Sequence, residues 1–333
     1  MNSNSDNEED RQLHNTLRFE MGLEKLKELF NDLASKDKEE LIRQLNNEDL
    51  HFPTLYILYN EIIESGILNK LNERNQLSIE LLNNFKSFKP KNKDDLISTL
   101  HHFNISYDVE LAHFVLKWIF MTGSSVLTLD DNYTTFIDIV AVLLLREFRD
   151  YTILLPTIDL MFQRDEEEID THNLIWAFFE ANEPKSLSYI ASRLRSKKPK
   201  ERELARLLLE FVPGIDLNID DGTVQYSAYQ RWYEENGHFI YYTGQTRNQT
   251  SIPVRYKVDY KAKYIGHFYS IDSEKISDYL SNEEIQIITI FESVDEDKKI
   301  RLADYSAFLR NTNPIVWKDW IHKPIETQLK EAE

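Results

Sequence analysis

The residues of this chain best suited to binding chemistry are seven Lys and Arg side chains within the fourteen residues 193–206. Clustered cations bind anions, either the carboxylates of an acidic protein or the phosphates of a nucleic acid. We call this segment the basic turn, because Pro199 is expected to open a helix inside it. An internal role is equally compatible with the pattern, since the acidic segment 165–170 lies one predicted hairpin earlier and could pair with these cations.

A second group of binding residues follows, because nine of the 17 tyrosines lie between Tyr226 and Tyr269. Rings interleaved with cations suit base stacking on nucleic acid, and they also suit protein interfaces, where Tyr and Arg are enriched. Residues 193–263 hold thirteen Lys/Arg against nine Asp/Glu, although the whole chain has a formal charge of −18. That overall charge disfavours nucleic acid, so we favour a partner protein with an acidic face. The candidate binding residues are Arg193, Arg195, Lys197, Lys198, Lys200, Arg202, Tyr241, Tyr242, Arg247, Arg255, Tyr256 and Lys257.

Residues 241–248, Tyr-Tyr-Thr-Gly-Gln-Thr-Arg-Asn, resemble the second half of the GIY-YIG nuclease motif, in which a strand leads into a glycine and a polar loop. In that family an upstream Gly-Ile-Tyr strand, a downstream catalytic Arg and a later Glu complete the site. Here the upstream strand is missing, and no Glu follows until Glu274. The resemblance implies an alternative function, a nucleic-acid-binding or nuclease-like enzyme centred on Tyr241, Tyr242 and Arg247.

Two further patterns resemble metal sites. Glu-x-x-His, which builds carboxylate-bridged di-iron sites on paired helices, occurs at Glu48/His51, Glu110/His113 and Glu235/His238. In the second pair both side chains fall with Lys117 on the polar face of their helix, so we expect solvated groups. Residues 216–222 resemble the start of a calcium loop but lack its Gly and Glu at the sixth and twelfth positions. We therefore predict no metal, no cofactor and no catalytic residue.

Composition narrows the function classes further. The chain has no cysteine, which excludes disulfides, thiolate nucleophiles and thiolate metal sites. Its 8 glycines in 333 residues disfavour dinucleotide-binding and glycine-rich β folds. The N-terminus is acidic and polar, and no apolar run approaches the ~20 residues that span a bilayer. We expect a cytoplasmic protein with no membrane partner.

The elements that position the candidate binding residues are predicted from the helical periodicity of the apolar residues. From Leu13 to Val212 apolar residues recur at helical spacing, and Pro184 and Pro199 each open a helix. Residues 134–212 resemble the stacked hairpins of armadillo- and HEAT-type repeat proteins. The resemblance implies an α-solenoid of stacked helical hairpins, and the same pattern also suits a helix bundle. The predicted fold is therefore mainly α, as stacked helical hairpins or a bundle.

The sequence pattern changes after Gly214. It predicts a helix at 226–237 and short strands at 239–243 and 254–258, and therefore a small α+β insert near 214–269. Helices resume at 272–280, 282–293, 302–310 and 314–321. The predicted regions are a tail at 1–11, helices at 12–88, stacked hairpins at 95–213, the insert, C-terminal helices at 270–325 and a tail at 326–333. Because no catalytic constellation accompanies this architecture, we predict a non-enzymatic adaptor that docks an acidic partner.

Overall fold

The computed structural model describes residues 22–88, 109–216, 221–245, 249–250, 254–267 and 280–333. Within these residues the protein is helical apart from one two-stranded sheet, which confirms the mainly α fold with a small β element. The chain divides into two units, Met1–Ala181 and Asn182–Glu333. The predicted tail at 1–11, the loop at 89–95 and most of the helix at 272–280 lie outside the described residues, and the predicted region 95–213 contributes to both units.

The first unit is built from α-helices joined by short turns. Its described helices are α1 (Leu23–Lys36), α2 (Lys38–Leu45), α3 (Phe52–Ile57), α4 (Tyr59–Glu64), α5 (Glu73–Phe88), α6 (Val109–Gly123), α7 (Asp131–Arg146), α8 (Leu154–Glu166) and α9 (His172–Glu180). Single 3-10 turns lie at Leu68–Lys70 and Tyr151–Ile153.

The long apolar helix predicted at 136–150 is α7, but its ends differ from the prediction. Asp130 caps its N-terminus by accepting a hydrogen bond from the Tyr133 backbone at 2.8 Å, so the helix begins earlier. It ends at Arg146, because the chain turns through a left-handed residue, Arg149 with φ 49°. Helix α7 is buried along most of its length and packs against α6 and α9, which makes it the centre of this unit.

The second unit combines helices with the β-hairpin. Its described elements are α10 (Leu187–Arg193), α11 (Pro199–Leu208), α12 (Gly222–Asn236), β1 (Ile240–Tyr242), β2 (Tyr256–Val258), α13 (Tyr260–Ile265), α14 (Asn282–Glu292), α15 (Glu296–Thr312), α16 (Pro314–Trp320) and α17 (Ile325–Glu331), with 3-10 turns at Pro184–Ser186 and Gly237–Phe239. Strands β1 and β2 pair antiparallel within the segments predicted to be extended.

Helix α12 starts at a close backbone approach. Asp221 caps it by accepting hydrogen bonds from the backbones of Thr223 and Val224 at 3.0 and 3.1 Å. A Cβ atom on Gly222 would lie 1.9 Å from the Leu194 carbonyl oxygen, so only glycine fits there. This contact sets the start of α12 against the end of α10.

The C-terminal helices of this unit share one apolar cluster. Tyr264 stacks on Phe291 with ring centroids 4.4 Å apart, and Trp320 packs edge-on against Tyr264 at 6.0 Å. Among the described residues, every helix is too short or too polar to cross a lipid bilayer. The armadillo- or HEAT-type arrangement of 134–212 stays a prediction.

Candidate functional site

The basic turn contains the last residue of α10, the connection 194–198 and the first eight residues of α11, and one carboxylate organises the connection. Glu201 accepts a hydrogen bond from Ser196 Oγ at 2.6 Å, and Arg193 and Lys198 lie 3.5 and 3.4 Å from its oxygens. Burial opposes ionisation of Glu201, but the Ser196 hydrogen bond and the two cations outweigh burial and lower its pKa. Two of the predicted binding residues, Arg193 and Lys198, therefore also hold the turn in shape.

Two more cations of the basic turn point into the protein. Arg202 Nη1 donates to the backbone oxygens of Ser196 and Lys197 at 3.1 and 3.4 Å, which ties the turn to the start of α11. Arg206 is buried and its Nε donates to Gln225 of α12 at 3.2 Å. These guanidinium groups satisfy backbone and side-chain acceptors inside the unit.

The outward cations of the basic turn are Arg195 and Lys197, both exposed. The Arg195 guanidinium lies 3.9 Å from the ring centroid of Tyr226, a cation–π contact that orients the side chain without neutralising its charge. Within the described part of the chain, neither side chain forms an ion pair. Lys200 is half-buried on α11. The predicted pairing with 165–170 concerns residues of the other unit and stays a prediction.

The hairpin forms one wall of a separate cleft of about 720 Å³, which we call the hairpin cleft. Its aromatic lining comes from the turn after α11, from α12, from both strands and from α13, and consists of Phe211, Trp232, Tyr241, Tyr256 and Tyr260. Tyr241 faces Lys257 directly across the strand pair, and Tyr242 faces Tyr256. Phe211 packs between two other rings of the cleft: its ring centroid lies 5.9 Å from that of Trp232 and 5.8 Å from that of Tyr256.

The charged side chains that line the hairpin cleft sum to a formal charge of zero. Arg255 and Lys257 line it together with Glu210 and Glu296. Arg255 is only 13% exposed, and its Nη1 lies 3.5 Å from both Glu210 Oε1 and the Leu207 carbonyl oxygen. The sequence predicted a basic surface in this region. In the structure the cleft is lined by five aromatic side chains, and the charges of its two basic and two acidic side chains sum to zero.

The structure thus separates the described predicted binding residues into two groups, one at the end of α10 and the first turn of α11, and one in the hairpin that follows α12. Tyr256 is 2% exposed and supports the hairpin cleft from below, and the Tyr242 ring packs edge-on against it at 5.9 Å. Arg247 lies outside the described residues. The cleft residues Phe211, Trp232 and Tyr260 were not among the candidates, since helical spacing alone assigns such rings to a core.

One polar cluster of the first unit also differs from expectation. His113 Nε2 and Lys117 Nζ lie 2.8 and 2.9 Å from the same oxygen of Asp150, which is 5% exposed. Burial raises the pKa of Asp150, but hydrogen bonds from Thr152, Lys117 and His113 outweigh it and lower the pKa to about 2. The predicted solvated face of α6 therefore contains an ion-pair cluster that fastens α6 to the segment after α7.

Comparison of this chain with protein families, curated proteins and solved structures finds no match. The function therefore has to be inferred from the chain's own residues.

Proposed function

We propose that this protein is a non-enzymatic adaptor whose basic turn docks the acidic face of a partner protein. The observation that carries the proposal is the exposure of Arg195 and Lys197, which form no ion pair within the described part of the chain. A cation that is not neutralised internally attracts external carboxylates, and its contribution is electrostatic steering and specificity. Lys198 adds a third charge, since its side chain is 60% exposed beside Glu201.

The test is a fluorescence-anisotropy titration of the full-length protein with a labelled glutamate decapeptide at low and physiological salt. The variant Arg195→Glu/Lys197→Glu/Lys198→Glu should bind at least about tenfold more weakly, because the two cations without an ion pair, and Lys198 beside Glu201, all become acidic. The affinity of the wild type should fall as salt rises, since screening shortens the range of these charges.

A matched control separates the site from the net charge. Lys185, Lys318 and Lys330 are exposed lysines of the same unit outside the basic turn. The variant Lys185→Glu/Lys318→Glu/Lys330→Glu changes the net charge by the same amount and should keep most of the wild-type affinity. Equal losses in both triple variants would overturn the docking role of the basic turn.

The runner-up function is a nucleic-acid-binding or nuclease-like enzyme centred on Tyr241, Tyr242 and Arg247, and it is supported by the position of Tyr241 in the hairpin cleft. It predicts metal-dependent cleavage of a plasmid, lost in Tyr241→Phe and Arg247→Ala. Passive binding of single strands would instead show an affinity that falls steeply with salt and no cleavage. The adaptor proposal also includes a cytoplasmic location and a repeat-like stacking of the helices.

A further inference from the structure

We propose that the acidic partner presents one extended segment along the outer face of α11, with its carboxylates at the basic turn and a bulky apolar side chain in the hairpin cleft. This inference rests on the proposed function and adds a second contact point at a fixed distance from the first. It follows from how the two groups of binding residues are joined.

Helix α11 is the element that separates them. The exposed cations of the basic turn, Arg195, Lys197 and Lys198, precede its first residue, Pro199, and the cleft begins at Glu210, two residues after its last residue, Leu208. Helix α11 has 10 residues, so the two groups are roughly 15 Å apart at a rise of about 1.5 Å per residue.

The hairpin is fastened to the end of α11 by one side chain. Arg255 precedes β2, and its Nη1 contacts both the Leu207 carbonyl oxygen and Glu210 at 3.5 Å. The distance between the basic turn and the cleft is therefore set by one helix and a clamped hairpin. A partner that used both contacts would have to match that distance.

The outer face of α11 offers a path between the two contacts. Lys200, Glu203 and Leu207 follow one another at helical spacing and share this face, and Glu210 lies in the turn just beyond the helix. Leu207 is 44% exposed, which is unusual for a leucine in a helix of this unit and gives an apolar contact midway.

The cleft itself favours an apolar group. Its two basic and two acidic side chains carry no net charge, and five aromatic rings among its lining residues offer apolar surface that a bulky apolar side chain would bury. A volume of about 720 Å³ lies within the usual range for a ligand pocket. Bulky apolar anchors that fill such pockets carry most of the energy of protein interfaces.

The geometry defines a peptide probe. An extended chain advances about 3.3 Å per residue, so about five residues should separate the acidic stretch from the apolar anchor. The probe is a labelled peptide with a run of glutamates, a Gly/Ser spacer of that length and one phenylalanine, made in both chain directions. Matched peptides carry alanine in place of phenylalanine, or a spacer of a single residue.

With the full-length protein, at least one direction of the phenylalanine peptide should bind about tenfold more tightly than its alanine counterpart. Shortening the spacer should remove that gain, because the anchor no longer reaches the cleft while the carboxylates occupy the turn. Tyr241→Ala and, separately, Val254→Ser each change a side chain that lines the cleft, and each should reduce the gain without changing the affinity for the alanine peptide. Phe308→Ala removes an exposed ring outside the cleft and should change neither affinity.

The outcomes distinguish the two proposals. If the alanine peptide binds through the basic turn but phenylalanine adds nothing in either direction and at either spacing, the two-point contact is overturned and the adaptor proposal stands. If the glutamate run does not bind, or if its affinity is unchanged when the charges of the basic turn are reversed, both proposals are overturned. Circular dichroism of each variant shows whether Tyr241→Ala has kept its fold, and Val254→Ser, at a cleft position that precedes β2, decides the result if it has not.

Discussion

The two units of the molecule carry very different charges. Residues 1–181 hold 17 Lys/Arg and 33 Asp/Glu, a formal charge of −16, whereas residues 182–333 hold 22 and 24, a formal charge of −2. The net charge of −18 therefore belongs almost entirely to the first unit. Since charges are screened over roughly 8–10 Å at physiological salt, the local balance decides what a surface binds. The basic turn lies in the unit where its charge is least opposed.

The units also bury cations in different ways. In the first, the side chains of Arg164 and Asp138 are 0% and 3% exposed and meet at 2.5 Å. In the second, Lys263 is 2% exposed, but its partner Asp304 is 53% exposed, and Asn236 Oδ1 accepts a second hydrogen bond at 2.7 Å. The Arg164–Asp138 pair is closed to water, whereas the Lys263–Asp304 pair is in contact with water through Asp304. Breaking the two pairs should therefore lower the free energy of unfolding by different amounts.

The largest expected effect is therefore in the first unit. Asp138→Ala should lower the free energy of unfolding by about 3–5 kcal/mol, because it leaves the buried guanidinium of Arg164 without its counter-charge. Asp304→Ala should cost clearly less, since Asn236 and nearby water remain for Lys263. Calorimetric unfolding of both variants measures the difference, and equal losses would remove this distinction between the units.

A double variant sharpens the same point. Within the described residues, Nε and Nη2 of Arg164 are buried without a hydrogen-bond partner. The combination Asp138→Leu/Arg164→Met replaces an incompletely satisfied pair with apolar side chains and should be at least as stable as the wild type. A double variant as unstable as Asp138→Ala would show that the pair itself stabilises this unit.

A smaller effect is expected in the second unit at Gly222. Gly222→Ala should cost about 1–3 kcal/mol, because the new methyl group meets the Leu194 backbone and α10 or α12 must shift. Ser227→Ala, at an exposed position of the same helix, should stay within about 0.5 kcal/mol. Urea denaturation of the two variants provides the comparison, and a harmless Gly222→Ala would mean that the approach of α12 to α10 is loose.

Two further effects concern the pH dependence of stability, and they have opposite signs in the two units. Burial raises the pKa of Asp138 to about 6 from its ordinary 3.8, although Arg164 opposes the shift. The folded protein then holds this proton longer than the unfolded chain, so stability from Asp138 falls as pH rises from about 4 to about 6. Hydrogen bonds from His267 and Ser281 lower the pKa of Glu284 to about 2 from 4.5, so its contribution is lost as pH falls through that interval.

Variants assign these pH effects. Asp138→Leu/Arg164→Met should remove the change between about pH 4 and 6, and Glu284→Gln should remove part of the loss below about pH 4.5. Thermal unfolding monitored across pH 2–7 compares each variant with the wild type. A wild-type slope that persists unchanged in the variants would assign the titration to other groups.

Patterns within single elements were predicted well from the sequence. The helix predicted at 282–293 is confirmed as Asn282–Glu292, and the two predicted strands are confirmed as Ile240–Tyr242 and Tyr256–Val258. In these segments the backbone period and the capping residues act over a few positions. Ser281, for example, forms a capping box with Glu284.

Pairings between distant residues could not be predicted this way. Asp138 precedes an apolar run, and nothing in its neighbourhood indicates that Arg164 will meet it. Arg255 was expected to be a surface cation, yet it is nearly buried against Leu207 and Glu210. His113 and Lys117 were expected in solvent, yet both contact Asp150. Each outcome depends on which helix faces meet, and that depends on packing across the whole unit.

The sequence by itself determined the helical class, the place of the hairpin and the concentration of cations in the basic turn, because periodicity, turn residues and charge are local properties. The tertiary structure alone decided which of those cations are used internally and that Phe211, Trp232 and Tyr241 share one cleft. Those properties depend on contacts between residues far apart in the chain, which form only when the helices pack to bury their apolar faces. The separation of the predicted binding residues into a cation cluster before Pro199 and an aromatic cleft at the hairpin is the result of that packing.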